Sequence, residues 1–470
     1  MLLRYFYDEK LAHASYMVGC QATGEAIVID ANRDVDMYLR AAEANSMRIV
    51  GATETHIHAD FVSGSRELAE RTGAVLYLSD EGDENWKYQF LDGYKHRLVK
   101  DGDEFKVGKV KLTVMHTPGH TPEHISFLLT DTAKTESPIG IFTGDFVFVG
   151  DIGRPDLLEE AAGMVGTADS GARQMFRSIK RFAELPDYLQ VWPAHGAGSA
   201  CGKALGAVPS TTVGYEKLFS WAFQIDDEET FVRELLAGQP EAPKYFAEMK
   251  KVNKVGPRVL HGMPRPEMLP AYRLPDLLAD GATVVDTRTA EQYAAGHIRG
   301  ALNIPQSMLA GWAGWLLDYD KPFYLIVDPD ELQDVVHSLV YIGLDTIAGY
   351  FETSVIAMLE EQGVELDCYE MAHPVDLASK IADGSVELID VRGKSEWEEE
   401  HIAGAKHYML GYLPNTASQI INGKPIVVQC QSSARAAIGA SLLKAQGAKT
   451  VVNMVGGMIA WKNAGLPVQH

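Results

Sequence analysis

The second half of the chain repeats itself. TVVDTRTAEQYAAGHIRGALNIP (283–305) and ELIDVRGKSEWEEEHIAGAKHYM (387–409) share an Asp, an Arg, an acidic residue, His-Ile and Gly-Ala in register. Asp286 and Asp390 stand 104 residues apart, as do His297 and His401. A period of that length is domain-sized and far exceeds a solenoid unit. The tail therefore folds as two copies of one domain, at 265–365 and 372–470. The first 250 residues of the 470 are left for another domain, joined through a connector at 251–264. The seam is visible in composition: Pro240, Pro243, Pro257, Pro264, Pro266 and Pro270 crowd a short stretch. Proline removes donors and fixes φ, so such a stretch connects domains better than it fills one.

Lys and Arg number 42 against 64 Asp and Glu, a net charge of −22. A surface this acidic repels phosphate backbones and anionic lipid, so no nucleic-acid partner and no membrane docking are expected. The N-terminal MLLRYFYDEKLAHASYMVG has no long apolar core behind a basic start, unlike a secretory signal. No run reaches 18 apolar residues, so no membrane span is expected. The four cysteines, at 20, 201, 368 and 430, fall singly and cannot build a disulfide framework. These features lead to an expectation of a cytoplasmic protein.

In the first 250 residues, short apolar runs such as GEAIVID (24–30), MRIVGATET (47–55), KLTVMHT (111–117) and IGIFTGD (139–145) read as buried strands. Helical patterns such as DVDMYLRAAEAN (34–45) lie between some of them, which makes the class α/β. His56, His58 and Asp60 follow one strand, and His116 and His120 another. Asp145 and the Pro-Ala-His195-Gly string come later. Imidazoles from separated loops with a carboxylate suit a borderline divalent metal.

This order of motifs resembles the metallo-β-lactamase superfamily, an αββα sandwich with its metal at one edge. Phe61 stands where that family places the last His of its first motif, which weakens a second metal site. Within the superfamily the persulfide dioxygenases hold a single Fe(II) with two His and one Asp. Carried over by motif, the resemblance implies His56, His120 and Asp145 as ligands of one Fe(2+) per chain. It leaves His58, Asp60 and His195 to orient ligands or hold water. Gly153-Arg154-Pro155-Asp156 also resembles these dioxygenases. Arg154 either grips a substrate carboxylate or forms a structural pair with Asp156. Cys20 and Cys201 read as buried thiols.

The Asp-x-Arg…Gly-His-Ile-x-Gly-Ala pattern of both tail copies resembles the rhodanese sulfurtransferase domain. In the second copy a strand, Pro425 to Gln429, delivers Cys430, followed by Gln431, Ser432, Ser433, Ala434 and Arg435. A strand-to-helix turn aims backbone N–H groups and a helix dipole at the sulfur, which favours its anion and that of bound substrate. The loop from Cys430 to Arg435 has the six-residue size used for sulfur, one shorter than phosphatase loops. Cys430 and Arg435 are expected to be catalytic, with Gln431, Ser432 and Ser433 cradling substrate. The first copy has Asp328 after its strand, no cysteine and no arginine, and is expected to be silent.

The whole chain resembles bacterial fusions of a persulfide dioxygenase with a sulfurtransferase. The resemblance implies oxidation of a low-molecular-weight thiol persulfide by O2 to sulfite. Cys430-mediated transfer of sulfur to sulfite would then give thiosulfate, in sulfide detoxification and in an assembly of like chains. One rival is a glyoxalase II-like dinuclear metal thioester hydrolase fused to a sulfurtransferase. Another is a non-catalytic sulfur carrier or sensor.

Overall fold

A computed structural model describes the chain except residues 158, 160–165, 204 and 240, so Pro240 of the seam lies outside the described residues. The chain forms two compact units: Met1–Met263 with Val340–Gly343, and Pro264–Leu339 with Leu344–His470.

The first unit holds two six-stranded sheets. One comprises, in order, β1 (Leu2–Asp8), β2 (His13–Cys20), β3 (Glu25–Ile29), β4 (Arg48–Thr53), β5 (Val75–Ser79) and β6 (His96–Val99). The other comprises β7 (Glu104–Val107), β8 (Val110–His116), β9 (Ile125–Asp131), β10 (Gly140–Gly144), β11 (Gln190–Pro193) and β12 (Thr211–Thr212). In the central strands β2, β3, β9 and β10 both faces are buried, and alternation divides them. Ile27 and Ile29 of β3 pack with Leu112, Val114, Phe127 and Phe142 between the sheets. Ala26 and Val28 pack outward with Tyr38, Ala42 and Leu68 of helices Asp36–Ala44 and Ser65–Thr72. On the other sheet Met115 and Ile141 face Met175, Ile179 and Phe182 of helix Thr167–Ala183. The result is the expected αββα sandwich. His56, His120, Asp145 and His195 all lie just past the C-terminal ends of strands β4, β8, β10 and β11.

The connector differs from expectation. Residues 251–255 complete a helix, Phe246–Val255, that buries Phe246, Met249, Lys250 and Asn253 against the first unit. These fall at i, i+3, i+4 and i+7, one helical face. The flanking prolines hide this periodicity, and the helix ends at Gly256, just before Pro257.

The second unit contains two parallel sheets. The first is β13 (Thr283–Asp286), β14 (Leu302–Asn303), β15 (Phe323–Val327) and β16 (Ile347–Glu352). The second is β17 (Glu370–Ala372), β18 (Glu387–Asp390), β19 (Lys406–His407), β20 (Ile426–Gln429) and β21 (Val451–Met454). The repeated motif is a structural lock in both. Arg288 clamps Asp286 at 2.7 Å and donates to the Gly296 carbonyl; Arg392 clamps Asp390 at 2.8 Å and donates to the Glu400 carbonyl. His297 stacks on Tyr293 at 3.8 Å, and His401 on Trp397 at 4.0 Å. The copies meet where Asn303 N–H donates to Ser441 Oγ at 3.1 Å and Lys444 pairs with Asp367 at 2.7 Å.

Among the described residues no helix is long and apolar enough to cross a membrane. Arg392 is 1% exposed and Asp390 is fully buried. Arg392→Ala strands that carboxylate and should destabilise the second unit by about 3–5 kcal/mol, measured by urea unfolding. A loss under about 1 kcal/mol would mean that the pair does not hold the fold.

Candidate metal centre and sulfur-transfer loop

The structure gathers His56, His120 and Asp145 into one buried group whose ligand atoms lie within 4.8 Å of one another. Asp145 Oδ2 is 3.5 Å from His120 Nε2 and 4.0 Å from His56 Nε2, and its Oδ1 is 3.5 Å from His195 Nε2. His56 Nε2 and both Asp145 carboxylate oxygens are buried without a hydrogen bond. Such atoms are costly unless something else satisfies them. Two imidazoles and a carboxylate with converging, unsatisfied lone pairs fit one divalent metal ion.

Local structure fixes which nitrogen each ring presents. His120 Nδ1 donates to the Arg154 carbonyl at 2.9 Å, leaving Nε2 its lone pair. His56 Nδ1 contacts Thr55 Oγ1 at 3.0 Å, and Thr55 in turn donates to Asp30 from both its hydroxyl (3.0 Å) and its backbone N–H (2.7 Å). Burial holds His56 and His120 below the usual histidine range, so both are neutral, as metal binding requires. Gly144 adopts φ 52°, and a side chain there would collide with Thr55 Oγ1 and lie 2.8 Å from His124 Nε2. The turn that delivers Asp145 thus needs a glycine.

The three remaining motif residues have separate roles. His58 turns to Asp30, 3.1 Å from Oδ1; burial opposes its charge, but Asp30 raises it to about 9. Through Asp30 and Thr55 it steadies His56. His195 donates Nδ1 to the Ala12 carbonyl at 3.0 Å and sets Nε2 3.0 Å from Asp60. Burial opposes its charge, but Asp145 and Asp60 raise His195 well above the usual range, making an ion pair with Asp60. Asp60, His195 and Cys201 form a second group able to hold a metal, although burial pushes the Cys201 thiol up. Phe61 fills the adjoining space, 3.9 Å from the His13 ring and 4.4 Å from His58.

Arg154 takes the structural alternative. Its side chain is fully buried and grips Asp156 through two hydrogen bonds of 2.9 and 2.6 Å, so the edge formed by Nε and Nη2 is taken up by that carboxylate. Its backbone carbonyl is what serves the site.

Three positioning residues escaped the sequence reading. Asp30 organises Thr55 and His58. Glu123 accepts the Ile57 N–H at 2.8 Å, and burial raises its carboxyl to about 7. Asn253 donates to the carbonyls of His58 (2.8 Å) and Phe61 (2.7 Å), pinning the first motif from the distant helix. Only Asp30 left a signal, an acidic residue closing an apolar strand, where it takes φ 52°.

In the second unit Cys430 follows β20 and is 1% exposed. Ser433 adopts φ 81° and starts helix Ala434–Ala445, whose Ala436 N–H points at Cys430 Sγ at 3.4 Å. Gly457 opens helix Gly457–Asn463 against this loop: a side chain on it would collide with the Cys430 carbonyl, which accepts from the Met458 N–H at 2.8 Å. Gln431 and Ser433 are half-buried and Ser432 is exposed on the outer rim. Arg435 pairs with Glu396 at 2.6 and 2.7 Å, so its charge reaches the loop already shared. In the silent copy, register places Val327 where the active copy has Cys430, since Asp286 pairs with Ile326 and Asp390 with Gln429. Asp328 instead accepts the Asp330 N–H at 3.0 Å. The aliphatic Val327 makes that loop unable to carry sulfur. Cys20 accepts the Lys109 N–H at 3.3 Å beside the β7–β8 turn, and Cys368 is exposed.

The metallo-beta-lactamase superfamily profile matches residues 9–195, and the rhodanese-like domain profile matches 271–337 and 373–464. A solved metallo-beta-lactamase from Staphylococcus aureus subsp. aureus COL is 44% identical, covers 75% of this chain and 99% of its own, and superposes with a TM-score of 0.67. The mitochondrial persulfide dioxygenase of Bos taurus is 26% identical over 204 residues, 42% of this chain and 68% of that protein. Hydroxyacylglutathione hydrolase of Hyphomonas neptunium is 30% identical over 207 residues, 44% of this chain and 71% of that protein. The chain spans 61% of the length of other curated relatives that it matches.

Removing one donor of three should empty the centre. His120→Ala and Asp145→Ala are expected to lose bound metal on gel filtration. His195→Ala should retain it with affinity reduced about 10–100-fold, read by chelator competition. Loss of metal from His195→Ala together with retention by His56→Ala would reverse the assignment.

Proposed function

This chain belongs to the metallo-beta-lactamase superfamily and carries rhodanese-like domains behind its metal-binding domain, and we propose that it is a persulfide dioxygenase joined to a thiosulfate sulfurtransferase. The observation that carries the reading is the pairing, in one chain, of a two-His, one-Asp centre with a Cys430 loop built for sulfur anions.

His56, His120 and Asp145 are proposed to hold one Fe(II), which supplies activation of O2 and of the substrate's terminal sulfur. The net oxidation consumes RSSH, O2 and water and yields RSH, sulfite and two protons. His195, with Nε2 3.0 Å from Asp60 and 3.5 Å from Asp145, is placed to hold or release a proton at that nitrogen. In the second unit the Cys430 thiolate attacks the outer sulfur of a persulfide. The donor S–S bond breaks, RS⁻ leaves, and Cys430 carries the sulfane sulfur. Sulfite then attacks that sulfur, the Cys430 thiolate departs, and thiosulfate forms. The Ala436 N–H and the helix N-terminus stabilise each sulfur anion. Tethering supports the pairing, because one site's product is the other's acceptor. Sulfide detoxification in the cytoplasm, by an assembly of like chains, completes the reading; four free cysteines suit a reducing compartment.

The Asp60, His195 and Cys201 group and the hydroxyacylglutathione hydrolase likeness favour one rival, a dinuclear thioester hydrolase. Metal analysis separates them: about one iron per chain with persulfide-dependent oxygen uptake supports the dioxygenase, and two zinc ions with thioester cleavage supports the rival.

Cys430→Ser replaces the nucleophile with a hydroxyl that stays protonated at neutral pH. The variant should keep oxygen uptake while its product shifts from thiosulfate to free sulfite. Thiosulfate still dominating would assign the carrier to another thiol, and loss of oxygen uptake would defeat the two-site scheme.

A further inference from the structure

A cavity of about 560 Å³ lies between the two rhodanese-like copies. One wall is the turn after Cys430, with Ser432 and Ser433; the facing wall belongs to the silent copy, with Asp328, Glu331 and Glu291. Its volume suits a small molecule.

The charge on the lining is one-sided. Arg288 is the cation among its described residues, and the clamp on Asp286 already neutralises it. None of the three carboxylates pairs with a cation among the described residues; Gln306, with its amide turned to donate, reaches Glu331 at 2.9 and 3.0 Å. A further observation points to a donor-bearing ligand. Asn453 lines the same cavity, is 1% exposed and gives Nδ2 to the Ser433 carbonyl at 3.4 Å, yet its Oδ1 has no hydrogen-bond partner. A buried acceptor without a partner, on a residue that lines a cavity, is satisfied by an N–H or O–H brought to it. Sulfite and thiosulfate bring only acceptors and negative charge. An ammonium brings three donors and the opposite charge.

Building on the sulfur-transfer reading of Cys430, we propose that this cavity is the donor site of the sulfurtransferase and selects a small thiol persulfide that carries an ammonium group. The silent copy is then half of a substrate site. Its carboxylates receive the ammonium while Cys430 takes the outer sulfur, the donor S–S bond breaks, and the aminothiol leaves through the same opening.

Two donors that differ in one group test this: cysteamine persulfide, with an ammonium, and 2-mercaptoethanol persulfide, with a hydroxyl. Sulfur loading of Cys430 is followed by mass spectrometry without oxygen, at donor concentrations below saturation, on the full chain. The wild type should load faster from the cysteamine donor by about five- to tenfold. Asp328→Asn with Glu331→Gln should bring the ratio near one, and Asp328→Lys should carry it below one. Equal loading by the wild type, or a preference that survives both variants, overturns the proposal. A wild type that loads from neither donor overturns the sulfur-transfer reading and this inference with it, whereas loading without preference overturns this inference alone.

Discussion

A carboxylate with no hydrogen bond, sealed from water, is the costliest group a domain can bury, and Asp145 is such a group. Three imidazoles face it, at 3.5, 3.5 and 4.0 Å. Each is delivered by a different strand end and each is fixed on its far side by a backbone carbonyl or hydroxyl. The sandwich is what makes this possible. His56 comes from one sheet, and His120, Asp145 and His195 come from the other, so neither sheet alone could assemble the donor set.

The sequence exposed what is local and concealed what is not. The His and Asp motifs stand beside strand ends because an apolar run followed by a polar turn is legible within ten residues. Asp30 and Asn253 are different. They act on residues 25 and 195 positions away, and no spacing rule links them. The helix of Asn253 was hidden twice, by neighbouring prolines and by a polar residue on its buried face. Arg154 admitted two readings because Asp156 lies two residues on, and only the side-chain geometry distinguishes a clamp from an open guanidinium.

The tail shows how a duplicated fold separates its scaffold from its chemistry. Both copies keep the Asp–Arg clamp and the stacked histidine, which act within one copy and hold strand, helix and loop together. The sulfur loop differs because it contributes little to that lock. Its cost appears elsewhere, in the left-handed Ser433 and in a glycine with no room for a side chain.

The register of the silent loop has an evolutionary consequence. Helix N-terminal hydrogen bonds start from Glu331, four residues after Val327, but from Ser433, three after Cys430. The silent turn is therefore one residue longer. A point mutation can install a thiol at Val327, but it cannot shorten the turn that would aim a helix at it. Two coordinated events, a substitution and an in-frame deletion, stand between this copy and a working sulfur cradle. No single substitution therefore restores this copy's loop, while the Asp286–Arg288 clamp that holds its fold is untouched by either change.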